Sequence, residues 1–170
     1  VKKFGFTLIE LVVVIALLGI LAAAALPRMI KSYDGAHKST VTATGGALAS
    51  AVILVRSQWV ANGARGEVDK VVGYGDDGIA TSSEGWPTDA YQGSASNHNT
   101  SVSGDAGRCV RLWQGLLILS APTVSATAAD TIDYLADTSG NSICRYTYQN
   151  SDENSQIEYN VATGSVVTVL

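Results

Sequence analysis

The sequence predicts an α+β chain: a long N-terminal helix packed against a polar head that closes on an antiparallel β-meander. Three observations predict it. An apolar run opens the chain, a helical stripe of large residues follows, and alternating aromatic and β-branched residues end it. The chain has 170 residues, 46% hydrophobic and 15% charged. That length suits one domain, with no room for two large ones. So few charges among so many apolar residues argue against intrinsic disorder. Eleven basic residues stand against fifteen acidic ones, for a formal charge of −4. An acidic chain with no basic cluster is a poor candidate for nucleic-acid binding.

The first element begins in the apolar run. Residues 11–26 read LVVVIALLGILAAAAL, uncharged and interrupted only by Gly19. Extended back to Phe6, the span has 21 residues and one charge, Glu10. As a helix it is roughly 30 Å long, about the thickness of a bilayer core. Outside residues 11–26 the chain is about 41% hydrophobic, an ordinary soluble composition. Three readings compete. A secretory signal peptide fits Lys2, Lys3, the apolar stretch and the alanines at 22–25. Pro27 would hinder cleavage there, and a carboxylate has no use in such a signal. A plain membrane anchor leaves Glu10 unexplained too, because a buried carboxylate costs roughly 2.5–3.5 kcal/mol. In the third reading, a partner's positive charge meets Glu10 inside the membrane or an assembled core.

Residues 2–10, KKFGFTLIE, followed by the unbroken apolar run, resemble the class III signal of type IV prepilins and type II secretion pseudopilins. The resemblance covers residues 1–33. It implies the type IV pilin fold, and a prepilin peptidase that cuts after Gly5 and methylates the new N-terminus at Phe6. The leader is then 1–5, the transmembrane and assembly helix 6–27, its amphipathic continuation 28–62, and the head 63–170. Losing Lys2 and Lys3 takes the formal charge from −4 to 9 − 15 = −6. In a staggered filament, Glu10 of one subunit can meet the Phe6 amine of its neighbour. That amine cannot sit unpaired in lipid, and a carboxylate four residues on lies one turn up the helix. An intramolecular Glu10–Phe6 pair is the alternative, and a waiting monomer can use it. Gly19 and Pro27 both weaken a helix. The resemblance implies that the chain between them stretches in the filament, while the residues alone suggest a kink at Pro27.

Beyond Pro27, Leu48, Val52, Val55 and Trp59 fall on one helical face, at spacings of four, three and four. Gly45-Gly46 is a weak point, at roughly 1 kcal/mol per glycine. Asn62-Gly63 is a C-cap. A helix over 6–62 would be about 85 Å long, which fits a stalk.

In the head, residues 73–107 read as loop, with turn signals at Asp77-Gly78, Trp86-Pro87 and 97–99. Residues 108–119 are ambiguous. Val110, Trp113 and Leu117 suggest a short helix, which we favour, while 116–119 could be a buried strand. Residues 143–149, 156–161 and 166–170 read as three antiparallel strands. The only cysteines are Cys109 and Cys144. A head outside the inner membrane meets an oxidising compartment, so the reading is one disulfide, with two buried thiols as the alternative. Its loop of roughly 35 residues is worth about 3–4 kcal/mol. The resemblance implies that such a bond encloses a variable surface loop. The segments CRYTYQ, IEYNVATGSVV, GWPTDA and CVRLWQGLL are also similar to the MSHA-type pilin group.

No catalytic constellation appears. His37 and His98 are isolated, there is no P-loop, and the cysteines are expected to pair. The expectation is a non-enzyme without cofactor. Calcium is the one ligand to consider, because some pseudopilins bind it in a head loop. The candidates are Asp76-Asp77 with Glu84, and Asp152-Glu153, neither with an EF-hand pattern. Trp86 and Tyr91 could form a glycan-binding patch, although such aromatics are usually core. The resemblance implies a homo-oligomeric helical filament served by prepilin peptidase and an inner-membrane assembly platform. The precursor would sit in the inner membrane and the assembled pilus at the cell surface. Alternatives are a type II secretion pseudopilin, a minor pilin, or a secreted domain behind an ordinary signal peptide.

Overall fold

The fold is taken from a computed structural model of the chain, describing residues 5–75, 78–90, 97–118, 121–151 and 153–170; the side chains of 30 and 31 lie outside that description. The chain forms two compact units, Val1–His37 and Lys38–Leu170. The first helix, α1 (Leu8–Ala61), begins in the first unit and ends in the second. Pro27 lies inside it, and Gly19 and Gly45-Gly46 do not interrupt it either.

In the second unit, Val41, Leu48, Ala51, Val52 and Val55 of α1 are buried and Trp59 packs against the same core. This is the stripe expected from the spacing. It ends in the expected cap. Gly63 has φ 69°, its N–H donates to the Val60 carbonyl, and the Ala64 N–H donates to that of Trp59. Those two bonds form a Schellman motif, which the left-handed conformation of glycine makes cheap.

Gly45 and Gly46 play different parts. A Cβ on Gly45 would lie 2.2 Å from the Thr168 Oγ1, whereas one on Gly46 would meet nothing within 4 Å. Gly45 is therefore where a strand closes on the helix, and only Gly46 is a bare helix weakness.

The 73–107 region is not all loop. Strands β1 (Ile79–Thr81) and β2 (Pro87–Ala90) form an antiparallel pair. Pro87 opens β2, a position where a strand tolerates a residue without an N–H. The sequence reading took Trp86-Pro87 for turn alone and missed this.

The second helix, α2 (Ala106–Leu116), settles the ambiguous segment as helix. Asp105 caps it, accepting from the Arg108 N–H at 2.9 Å. Its buried stripe is Arg108, Cys109, Leu112, Trp113 and Leu116, so the periodic set is shifted from the one anticipated. Val110 and Leu117 are only partly buried. Of the run proposed as an alternative strand, Leu119 lies outside the described residues.

A second sheet has the order β3-β4-β5-β6-β7. The three expected strands are β5 (Ile143–Tyr148), β6 (Gln156–Asn160) and β7 (Val166–Val169), antiparallel neighbours in sequence order. The meander is larger than expected, because β4 (Tyr134–Ser139) pairs antiparallel with β5 and the short β3 (Val124–Ser125) runs parallel to β4. Strand β4 escaped notice because YLADTS points Tyr134 and the small Ala136 inward, a weak alternation.

The inward residues build an aromatic core. Trp113 lies 4.8 Å from Tyr134 and 4.6 Å from Tyr146, ring centre to ring centre. Two buried hydroxyls are paired: Tyr146 donates to the Cys109 carbonyl at 2.8 Å and Tyr159 to the Pro87 carbonyl at 2.7 Å. The disulfide Cys109–Cys144 ties α2 to β5, with both cysteines fully buried. The segment it encloses holds Leu112, Trp113 and Tyr134, which are core residues. It is therefore more than the variable surface loop that the family resemblance implied.

Two outcomes follow from this packing. Gly46→Ala should stabilise the head by up to ~1 kcal/mol, while Gly45→Ala should destabilise it by ~1–3 kcal/mol, measured by thermal unfolding. Burial raises the Tyr146 and Tyr159 phenols above the ordinary value of 10.0. A buried phenol must stay neutral, so raising its pKa favours the unfolded chain once the pH passes the unfolded value. Their contribution is complete below about pH 10 and is lost as the pH rises further. Alkaline titration should therefore show these two tyrosines ionising together with loss of the β-sheet circular dichroism signal.

Candidate assembly site

The N-terminal segment brings together three of the residues the sequence singled out. Gly5, Phe6 and Thr7 precede α1, and the first helical residue is Leu8. Glu10 lies one turn in. Its Oε2 accepts from the Thr7 N–H at 2.9 Å and from the Thr7 hydroxyl at 2.6 Å. The Glu10 N–H in turn faces the Thr7 Oγ1 at 3.4 Å. This reciprocal arrangement is a capping box, in which two orphan donors of the helix start are satisfied at once.

Thr7 is thus a residue that sequence reasoning missed. The signal was present: T-x-x-E directly before an apolar run is the capping-box pattern. The sequence reading gave Glu10 a neighbour's Phe6 amine as partner, or its own. In this chain, where Phe6 is still joined to Gly5, the carboxylate is held by Thr7 instead.

Around Glu10 the surface is apolar. Every large hydrophobic side chain at the described positions from Phe6 to Met29 is exposed, from 45% at Val14 to 80% at Leu8. The helix contains an 18-residue window with mean hydropathy 2.8 and none of it buried, long and apolar enough to cross a membrane. An apolar surface of that extent marks a membrane or protein contact. Gly19 lies within this stretch with open space around it. Pro27 lies near its end, so neither residue is brought to the Thr7–Glu10 pair.

The other candidates lie in the head. Cys109 and Cys144 are joined. Of the calcium candidates, Asp76, Asp77 and Asp152 fall outside the described residues. Glu84 is exposed, and its backbone carbonyl accepts from the Arg56 Nε at 3.2 Å. The Glu153 Oε2 lies 2.9 Å from the Lys38 Nζ. Among the described residues no group of three or more metal-ligating side chains converges. Trp86 is occupied: the Arg56 guanidinium lies 4.3 Å from its ring centre, and a Cβ on Gly164 would come within 2.1 Å of its Cε3. Tyr91, its expected glycan-binding companion, is outside the described residues. His98 is not isolated, since it reaches both Thr81 and Asp69.

Residues 2–26 match the family model described as the prokaryotic N-terminal methylation motif. A relative, the type IV narrow pilus major component PilA5 of Thermus thermophilus, is 46% identical over 54 residues. That match covers 32% of this chain and 47% of the relative. Over that stretch the chain is similar to a type IV pilin, and it spans about half of that relative's length. The matched motif contains Gly5, Phe6, Thr7 and Glu10, the same stretch in which the geometry places the single carboxylate at the start of an uncovered apolar helix. No solved structure matches this chain.

Proposed function

We propose that this chain is a structural subunit of a type IV pilus. The observation that carries the reading is the exposed apolar stretch from Phe6 to Leu26, whose one carboxylate stands in the first turn of the helix. A prepilin peptidase cuts after Gly5 and methylates Phe6. Until then the helix anchors the precursor in the inner membrane, with Glu10 held by Thr7. Cleavage creates an ammonium group at Phe6. The pair between that ammonium and the Glu10 carboxylate of a neighbour is charge-assisted, and so stronger than bonds to a neutral amide and hydroxyl. Glu10 therefore exchanges Thr7 for the neighbour's amine, which fixes the axial register. The apolar helices then cover one another as they leave the lipid, and the chain between Gly19 and Pro27 stretches. An inner-membrane assembly platform drives this step. The heads form the outer surface, where they serve attachment. The chain's work in this scheme is assembly and not catalysis.

Intact-mass analysis of protein from cells should show a mature chain that starts at Phe6 and carries one added methyl group there. A start near Leu26 would instead identify an ordinary signal peptide. Glu10→Ala should insert into the membrane normally yet give a pilus yield at least ~10-fold lower, because it strands a neighbour's amine in an apolar core. Electron microscopy of sheared cells checks this, and wild-type amounts of fibre from the variant would rule the pairing out. Long surface fibres in the wild type also separate a pilus from a secretion pseudopilus.

A further inference from the structure

We propose that the groove formed by Ile53, Arg56, Ser57, Val60 and Trp86 is a docking site for a peptide segment that carries a carboxylate between apolar side chains. The groove has a volume of about 300 Å³. Ile53, Arg56, Ser57 and Val60 stand at i, i+3, i+4 and i+7 on α1, so they share one helix face. That face is distinct from the buried stripe through Val52 and Val55. Ile53 and Val60 are 61% and 59% exposed, where a helix facing water ordinarily carries polar and charged residues. Of the lining residues only Arg56 is charged.

Arg56 is held in place but not used up. Its Nε donates to the Glu84 carbonyl at 3.2 Å, and its guanidinium lies 4.3 Å from the Trp86 ring centre. The ring is fixed in turn, because Gly164 packs so closely against it that a Cβ there would collide. A guanidinium has five N–H donors, and the Nε bond spends one. Stacking on an aromatic face spends none. Among the described residues neither Nη has a hydrogen-bond partner and no carboxylate pairs with Arg56. Such a fork takes a carboxylate through two parallel bonds. Because Trp86 and the Glu84 carbonyl already hold it, binding costs little side-chain freedom.

The walls select the kind of anion. Ile53, Val60 and Trp86 favour a carboxylate on an apolar body over a strongly hydrated inorganic ion. Length selects a peptide. Ile53 and Val60 are seven residues apart, roughly 10 Å along the helix. An extended peptide covers that distance in about three residues, at roughly 3.3 Å each. A compact small acid on Arg56 reaches one of the two apolar residues, whereas a peptide reaches both. The site uses no residue of the N-terminal segment, so it stands or falls separately from the proposed assembly.

NMR of the isotope-labelled full chain in lipid nanodiscs tests this through its tryptophan indole signals. Trp59 and Trp113 donate their indole N–H to the Gly66 and Pro122 carbonyls, whereas that of Trp86 has no partner among the described residues. The probe is the peptide acetyl-Leu-Glu-Leu-amide, and Trp86→Phe assigns the signal. The Trp86 signal should shift saturably with the probe. The neutral acetyl-Leu-Gln-Leu-amide should bind at least ~10-fold more weakly, having lost its bonds to a charged group. Isocaproate should also bind at least ~10-fold more weakly, because it leaves one apolar wall uncovered. Arg56→Gln should lose the response, with an unchanged Trp113 signal reporting an intact head. Ile53→Glu should lose it too, by setting a carboxylate of the chain's own beside Arg56. No saturable shift, equal binding of the Glu and Gln peptides, binding retained in either variant, or isocaproate binding as tightly as the peptide would overturn the proposal.

Discussion

Glu10 is the one acidic or basic side chain between Phe6 and Leu26, and an ion on an apolar helix needs a partner at every stage. In this chain that partner is Thr7, which offers its amide and its hydroxyl. The same contact caps α1, so helix start and charge neutralisation are one arrangement. The exposed side chains that follow are left uncovered by the chain itself, which marks them as a membrane or protein contact. In the proposed assembly one set of partners would replace another, with the carboxylate marking the register.

The head solves a different problem. The helix stripe from Val41 to Val55 is buried under a sheet whose inward positions are filled by Tyr134, Tyr146, Ile157 and Tyr159. Such large rings need close approach elsewhere, and glycine provides it. A Cβ on Gly115 would lie 2.4 Å from the Ala90 Cβ, and one on Gly45 would collide with Thr168. The disulfide adds a covalent tie between α2 and β5 at the centre of this packing. By linking positions 35 residues apart, it removes freedom from the unfolded chain more than it strengthens the folded one.

One buried carboxylate is paired with the same economy. Asp89, 2% exposed, takes a two-pronged bond from Arg111 at 2.9 and 3.1 Å. Such forked geometry gives direction as well as charge. It fastens β2 to α2, the same pair of elements that Gly115 lets approach. On the outer face of the sheet, Arg145 bonds both Glu158 and Ser139 across three strands.

Much was legible from residue order alone because it depends on local periodicity. The apolar run, the stripe from Leu48 to Trp59, the Asn62-Gly63 cap and the alternation in β5–β7 each follow from neighbours within a few residues. Even Thr7 is readable, as the partner in T-x-x-E. What tertiary structure alone decided depends on residues far apart in sequence. Strand β4 exists because its Tyr134 and Ala136 find the ring of Trp113 and a free edge of β5. Pro87 becomes a strand residue because β1 lies beside it. The two glycines at 45 and 46 are indistinguishable by propensity, and only the arrival of Thr168 separates them. His98 looked isolated until Asp69 and Thr81 were folded onto its two nitrogens. Sequence by itself therefore determined the helix and its charged start, where each residue answers to the next turn. The head's strand count, its close approaches and its polar pairings waited for the fold, because contacts between residues distant in sequence leave no periodic trace along the chain.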